Sequence, residues 1–301
     1  MNLDERMNPD EPLRVAFAGV PGSFAEDAVL AAYPHADAVP VPLFRDVLSA
    51  VMDGRVSAGV LPIENVVGGG VHEVYDLLLG SEVTVVGEVI VPVRLCLAAL
   101  PGERLESISR VYSHIQALMQ AEPYLRGRDW TLLAATNTAG AGREIREHGE
   151  RGSAAVLSPR AAQLHGLEVL AADIQAERRN RTRFLVLALP QADSPGGIGL
   201  PTAATAVSDG RRRSSLAFSV LNEPGTLVRA LGVIAGHHLN MTKLESRPSR
   251  QGTWEYVFWT DVDADVCEGG AAGEAFLDDL RAVCVWVRVL GCYPRCTEPD
   301  I

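Results

Sequence analysis

Two hydrophobic periodicities alternate along the first two thirds of the chain: short apolar runs, and longer stretches with an apolar residue every three or four positions. Residues 14–18, 58–62, 83–89, 93–99, 109–112, 131–135, 154–157 and 183–188 read as strands. Residues 23–32, 43–53, 71–79, 113–125, 138–148 and 159–165 read as helices. This alternation predicts α/β architecture, with mostly parallel sheets covered by helices. Residues 190–213 are rich in Pro, Gly, Ala, Ser and Asp and read as a linker, the basic triplet 211–213 being a solvated strand entrance. The pattern then changes. Leu216, Phe218 and Val220 alternate as in a half-buried strand, residues 222–225 form a turn, and Leu227, Leu231 and Ile234 share a helical face closed by His237 and His238. Strands at 241–245, 256–262 and 284–290 around an acidic helix near 275–282 complete the order βαββαβ, the ferredoxin-like arrangement.

Four strands run into a hydroxyl residue that opens a helix: Ser23, Ser113, Thr136 or Thr138, and Ser158. Ser23-Phe-Ala-Glu26 and Ser113-His-Ile-Gln116 match the capping box, and Ser158-Pro159 sets a cap before a proline at the first helical position. Helix starts present unpaired N–H groups and the positive end of a dipole. Either these are ordinary caps, or several around one cleft hold a small polyanion.

The 301 residues suffice for two or three domains. With 47% hydrophobic and 22% charged residues the composition is that of a globular protein, and a net charge of −11 argues against nucleic acid or an anionic membrane as partner. No apolar run is long enough to span a bilayer, and residues 1–12 are polar and acidic, unlike a signal peptide, and read as a flexible leader. Five scattered cysteines predict reduced thiols and a cytoplasmic setting. Cys292, Cys296 and nearby Cys284 lack the further ligand that a zinc site needs. Dinucleotide, phosphate-loop, zinc-protease and nucleophile-elbow motifs are missing. The glycines at 68, 69 and 70 lack a phosphate-loop lysine and point to a close backbone approach; His72 and His114 read as helix-start residues. Asn180-Arg-Thr-Arg-Phe184 opens a strand. It reads either as an ordinary strand entry or as chemistry, a hydroxyl donating to a leaving oxygen beside a guanidinium that orients a carboxylate.

Taken in order, Gly19-Val-Pro-Gly-Ser-Phe24, Leu61-Pro-Ile-Glu-Asn65 with Gly69 and Asp76, Ser113-His-Ile-Gln-Ala-Leu-Met-Gln120, Asn137-Thr-Ala139 and Asn180–Phe184 resemble prephenate dehydratase. Pro224-Gly-Thr-Leu-Val228 and Glu245-Ser-Arg-Pro248 resemble the phenylalanine-binding motifs of its ACT regulatory domain. The resemblance implies a catalytic region at 13–189 with two periplasmic-binding-protein-like lobes around a cleft, a linker at 190–213, a ferredoxin-like ACT domain at 214–293 and a tail at 294–301. It implies decarboxylating dehydration of prephenate to phenylpyruvate without metal or organic cofactor, and feedback by L-phenylalanine on a homodimer or homotetramer. Thr182 would bond the departing hydroxyl. Glu64, Asn65, Ser113 and Gln120 would complete the catalytic set, and Ser23, Phe24, Asn137, Thr138, Arg183 and Phe184 would hold substrate. Pro224, Gly225, Thr226, Leu227, Val228, Glu245, Ser246, Arg247 and Pro248 would bind phenylalanine. Val66 stands where the family commonly has serine, and Ile115 where it has proline. The alternatives are arogenate dehydratase, a non-aromatising prephenate decarboxylase, and a catalytically silent amino-acid sensor.

Overall fold

The computed structural model describes residues 12–190, 210–248 and 255–297. The first lobe runs through β1 (Arg14–Ala18), α1 (Phe24–Ala32), β2 (Asp37–Val41), α2 (Phe44–Met52), β3 (Ala58–Asn65), the short β4 (Gly69–Gly70), α3 (His72–Leu79) and β5 (Thr84–Pro92). The second contains β6 (Cys96–Ala99), β7 (Arg110–Ser113), α4 (Ile115–Gln120), α5 (Glu122–Leu125), β8 (Thr131–Ala134), α6 (Thr138–His148), β9 (Ser153–Leu157), α7 (Pro159–Leu164) and β10 (Glu168–Ala171). The chain then re-enters the first lobe as β11 (Arg181–Ala188), antiparallel between β3 and β5. Each lobe has a three-stranded parallel core with antiparallel neighbours, in the orders β2-β1-β3-β11-β5 and β10-β6-β9-β7-β8. The two crossovers lie side by side: Val93 N–H donates to Asn180 O at 2.9 Å and Leu95 N–H to Gln175 Oε1 at 2.8 Å.

The third unit is β12 (Arg212–Ser219), α8 (Thr226–Gly236), β13 (Met241–Pro248), β14 (Tyr256–Val262), α9 (Gly270–Val283) and β15 (Trp286–Pro294), in the antiparallel order β13-β14-β12-β15. One face of this sheet carries the two helices over Leu216, Phe218, Ile234 and Phe276. The other shares a core with the first lobe: Ala217, Val257, Trp259 and Tyr293 pack with Leu61, Tyr75, Val85 and Leu187. β12 is therefore buried on both faces rather than half-buried, and the expected solvated entrance is wrong for Arg213, which is buried. Each apolar side chain fully removed from water here contributes roughly 1.5–3 kcal/mol, so the sheet of the third unit is an integral wall of the first lobe.

Local chemistry accounts for the other departures from expectation. β2 and β10 carry exposed and half-buried positions with no clean period, and escaped the pattern. The expected 113–125 helix breaks at Ala121 into two pieces. Ser23 and Ser158 cap their helices, accepting from Glu26 and Ala161 N–H. Ser113 does not: it ends β7, and His114 Nδ1 accepts from Gln116 N–H in its place. At α6 the cap is Asn137, not a threonine, because its amide oxygen Oδ1 lies 2.6 Å from Gly140 N. Nor are all thiols free. The loop after β14 carries Cys267 against β15, with Cα atoms 6.1 Å apart, and it forms a disulfide with Cys292; Cys96, Cys284 and Cys296 remain thiols. No helix among the described residues is long and apolar enough to cross a membrane.

Candidate active site

Alternation along β11 sorts the residues of its motif. Side chains two apart share a face of a strand and neighbours oppose each other. In register, Thr182 pairs with Asn65 and Arg183 with Glu64. Thr182 and Asn65 therefore look one way, and Arg183 and Glu64 the other.

On the first side four polar groups meet where the lobes join. Asn65, at the end of β3, directs Nδ2 to Thr182 Oγ1 (2.9 Å), Asn180 Oδ1 (2.8 Å) and Arg181 O (3.0 Å). Its Oδ1 accepts from Val67 N (3.0 Å) and Gly68 N (2.7 Å). The glycines have a local reason: Gly69 has φ +77°, and a Cβ on Gly68 would lie 3.3 Å from Asn65 Oδ1. Asn180 continues the chain, donating from Nδ2 to Gln120 Oε1 at 2.9 Å across the lobes. Of the expected catalytic residues, Thr182, Asn65 and Gln120 converge here. Ser113 is fully buried just before α4, and its hydroxyl donates to Val156 O at 2.6 Å.

The second side is an ionic seam with the sheet of the third unit. Buried Arg183 places Nη1 2.9 Å from Glu88 Oε2, Nη2 2.6 Å from Asp261 Oδ2, and Nε 2.6 Å from Glu64 Oε1 as an ion pair. Its guanidinium is engaged by three protein carboxylates and lies on the face of β11 opposite Thr182. Glu64 also pairs with Lys243 of β13, which removes it from Thr182's face. Glu88 takes Arg213 Nη1 at 2.8 Å and Cys296 N–H at 2.9 Å, so both ends of the regulatory unit converge on one buried carboxylate. Burial would raise the Glu64 and Asp261 carboxyls, but Arg183, with Lys243 for Glu64 and the Ser215 hydroxyl for Asp261, outweighs it and holds both below the usual range. For Arg183 burial works against the charge, and Asp261 and its neighbours reverse that, raising it well above its ordinary value. A cavity of about 460 Å³ opens beside this seam, lined by Glu64, Arg183, Lys243 and Glu245 among others, whose charges already pair with one another or with neighbours. Phe184 is 2% exposed and packs with Phe17, Val29 and Val186 beneath α1.

The remaining candidates sit at the lobe junction or on the regulatory unit. Phe24 packs against the cores of both lobes. Near Ser23, Arg160 reaches from α7 to Glu26 (2.5 Å) and Asp27 (3.0 Å), and Ser158 Oγ donates to Gly22 O (3.2 Å). The first turns of α1 and α7 are thus fastened together. Asn137 caps α6 through Oδ1, and Thr138 is the first residue of that helix. On β13 the motif divides as on β11. Glu245 and Arg247 turn to His72 (3.3 Å) and Asp76 (3.5 Å) of the first lobe, while Ser246 and Pro248 are exposed. Gly225 caps α8 at φ +83°, Pro224 and Val228 are exposed, Leu227 is half-buried, and buried Thr226 donates to Leu221 O at 2.6 Å and Glu223 O at 2.9 Å.

Two α/β lobes joined by a double crossover, a hydroxyl held among amides at the junction, and a ferredoxin-like unit docked behind it define a bilobal enzyme with an attached regulatory domain. The family model for prephenate dehydratase matches residues 15–192, and that for the ACT domain residues 214–265. The chain belongs to the prephenate dehydratase family. It is 38% identical to arogenate dehydratase/prephenate dehydratase 2 of Arabidopsis thaliana, over 97% of this chain and 75% of that protein. Among solved structures, prephenate dehydratase of Arthrobacter aurescens in complex with L-Phe superposes with a TM-score of 0.80 at 28% identity, covering 96% of this chain and 92% of that one. A structure described as the quorum-quenching acylase GqqA superposes with a TM-score of 0.81 at 31% identity, covering 93% and 97%.

Proposed function

We propose that this protein converts prephenate to phenylpyruvate, with Thr182 as the group that eases departure of the ring hydroxyl. The Asn65 Nδ2–Thr182 Oγ1 bond of 2.9 Å carries the reading. A hydroxyl oxygen that accepts from an amide has its own hydrogen free to donate elsewhere. As the C–CO2 bond breaks, its electron pair enters the ring and the C–O bond to the hydroxyl breaks. Carbon dioxide and hydroxide leave, hydroxide taking a proton from solvent to become water, so prephenate yields phenylpyruvate, carbon dioxide and water. Aromatisation drives the step; the protein supplies orientation and a donor to the developing negative charge. Gln120 orients substrate beside that donor, and Asn65 holds the donor in place.

Arogenate, which differs by an amine in place of the keto group, is the second reading, favoured by relatives that carry both activities in their names. The acylase chemistry of the GqqA neighbour would need an activated nucleophile. Among the described residues Thr182 Oγ1 is bonded by an amide donor, not by a base that takes its proton. Offering prephenate, arogenate and an N-acyl amide separately and identifying the products decides among them. Phenylpyruvate from prephenate supports the reading, phenylalanine from arogenate alone supports the second, and amide cleavage or no turnover contradicts both.

Feedback by phenylalanine belongs to the same reading. A ligand at Gly225–Val228 and Ser246–Pro248 bears on β13, the strand that holds Glu64 through Lys243. It inhibits only if it favours one placement of that strand over another. Exposed Leu221, Val228, Leu244 and Tyr256 on this unit support self-association of the chain there, as a dimer or tetramer.

A further inference from the structure

We infer that Asn180 is a positioning residue that fixes the hydrogen-bond polarity of the site, so that both Thr182 and Gln120 face the cleft as donors. The inference rests on the dehydratase reading and adds to it a residue outside the catalytic set.

The argument begins at two backbone amides. Val67 N–H and Gly68 N–H are donors only, so the atom of Asn65 that meets them must be Oδ1. The carbonyl of Arg181, an acceptor only, lies 3.0 Å from the opposite atom and independently requires Nδ2 there. The orientation of Asn65 is thereby fixed from both ends. Its Nδ2 lies 2.8 Å from Asn180, which must present Oδ1 and so turns Nδ2 toward Gln120 at 2.9 Å. Gln120 must accept at Oε1, and its Nε2 hydrogens are left to point elsewhere. The two Nδ2 hydrogens are shared among Asn180 Oδ1, Arg181 O and Thr182 Oγ1, and because that nitrogen accepts nothing, the Thr182 hydroxyl keeps its own proton to give.

Both amide-bearing residues are anchored by their main chains. Asn180 is 1% exposed, and its carbonyl accepts from Val93 N–H at 2.9 Å. The Gln120 carbonyl accepts from Ala176 N–H at 2.8 Å. Both crossovers between the lobes therefore hold the relay in place. Donors at the lobe junction are what a doubly anionic substrate with a departing hydroxyl requires. Gln120 turned the other way would set a carbonyl oxygen against that charge.

Asn180→Asp tests this, because the shape is kept and the polarity is not. The substituted side chain still accepts from Asn65, but an ionised carboxylate has no hydrogen for Gln120. The amide of Gln120 must rotate to donate, turning Oε1 into the cleft. Losing one preoriented donor costs on the order of 100-fold in kcat/KM. Since an added negative charge would also repel the substrate, the measurement is a double-mutant cycle with Gln120→Met, with prephenate as substrate, or arogenate if the wild type uses only that. Melting temperatures of all four proteins report the fold. If Asn180 acts through Gln120, Asn180→Asp lowers kcat/KM about 100-fold alone and less than about 3-fold in the Gln120→Met background. The same 100-fold loss in both backgrounds, or a single variant within about 3-fold of wild type, overturns the inference while leaving the dehydratase reading intact. A wild-type protein that turns over neither substrate overturns both.

Discussion

Arg183 and Thr182 are adjacent in sequence, and replacing each should produce opposite signatures. Arg183→Met removes a guanidinium 8% exposed at its side chain while roughly keeping the length of its stem. Breaking one partner out of a buried ionic cluster typically costs about 3–5 kcal/mol, because the carboxylates stay buried without compensation. Here Glu64 keeps Lys243 and Glu88 keeps Arg213, but Asp261 loses the 2.6 Å contact and retains chiefly the Ser215 hydroxyl at the same distance. The lower end, about 3 kcal/mol, is expected. Urea unfolding at pH 7, followed by tryptophan fluorescence and by circular dichroism, should show the midpoint falling, with separate transitions if the regulatory unit undocks first. Under folding conditions KM should stay within about 3-fold of wild type, since the side chain lies on the far face of β11 from Thr182. A KM raised tenfold or more with an unchanged urea midpoint would place Arg183 in contact with substrate and refute the two-faced reading.

Two further outcomes follow from the same contacts. Glu64 and Asp261 are held below the usual carboxylate range, so the unfolded chain binds protons first as pH falls. The stabilisation they give is complete above their ordinary values near 4 and is lost as pH falls through the depressed folded-state values, so the urea midpoint should hold between about pH 7 and 5 and drop below about pH 4. Arg183→Met should move that drop upward; an unchanged acid limb would show that the seam does not set it. Ser246→Trp, on an exposed position of β13, should weaken inhibition by phenylalanine at least tenfold with basal turnover retained, whereas full inhibition in the variant would remove that strand from the effector site.

How much of this was legible in the sequence depended on how far apart the partners lie. Alternating periods gave the α/β architecture and the ferredoxin-like unit, because each strand and helix carries its own local pattern, while the division into two lobes came from the resemblance. The polar cluster of Thr182, Asn65 and Gln120 was accessible through motif resemblance. The division of each motif between two faces was not. It follows from pairing Thr182 with Asn65, 117 positions apart, and a one-residue change of register would exchange the faces. Lys243 and Asp261 read as solvated charges and Arg213 as part of a solvated basic triplet, because burial comes only from the docking of the regulatory sheet. Asn180 stood in a quoted motif, yet its role depends on which amide atom faces which neighbour. Ser113 shows the converse error: a correct local signature for a cap, overridden by one more residue of β7 and a bond to Val156.

Turnover by Thr182→Val tests the central claim most directly. The substitution keeps the branched shape and strand preference while removing the hydroxyl, and Asn65 Nδ2 keeps Asn180 Oδ1 and Arg181 O as acceptors, so the loss of stability should be about 1 kcal/mol. The account expects kcat for aromatic product to fall on the order of 100-fold or more with KM little changed. A folded Thr182→Val protein with near-wild-type kcat would show that this hydroxyl does not assist the leaving group.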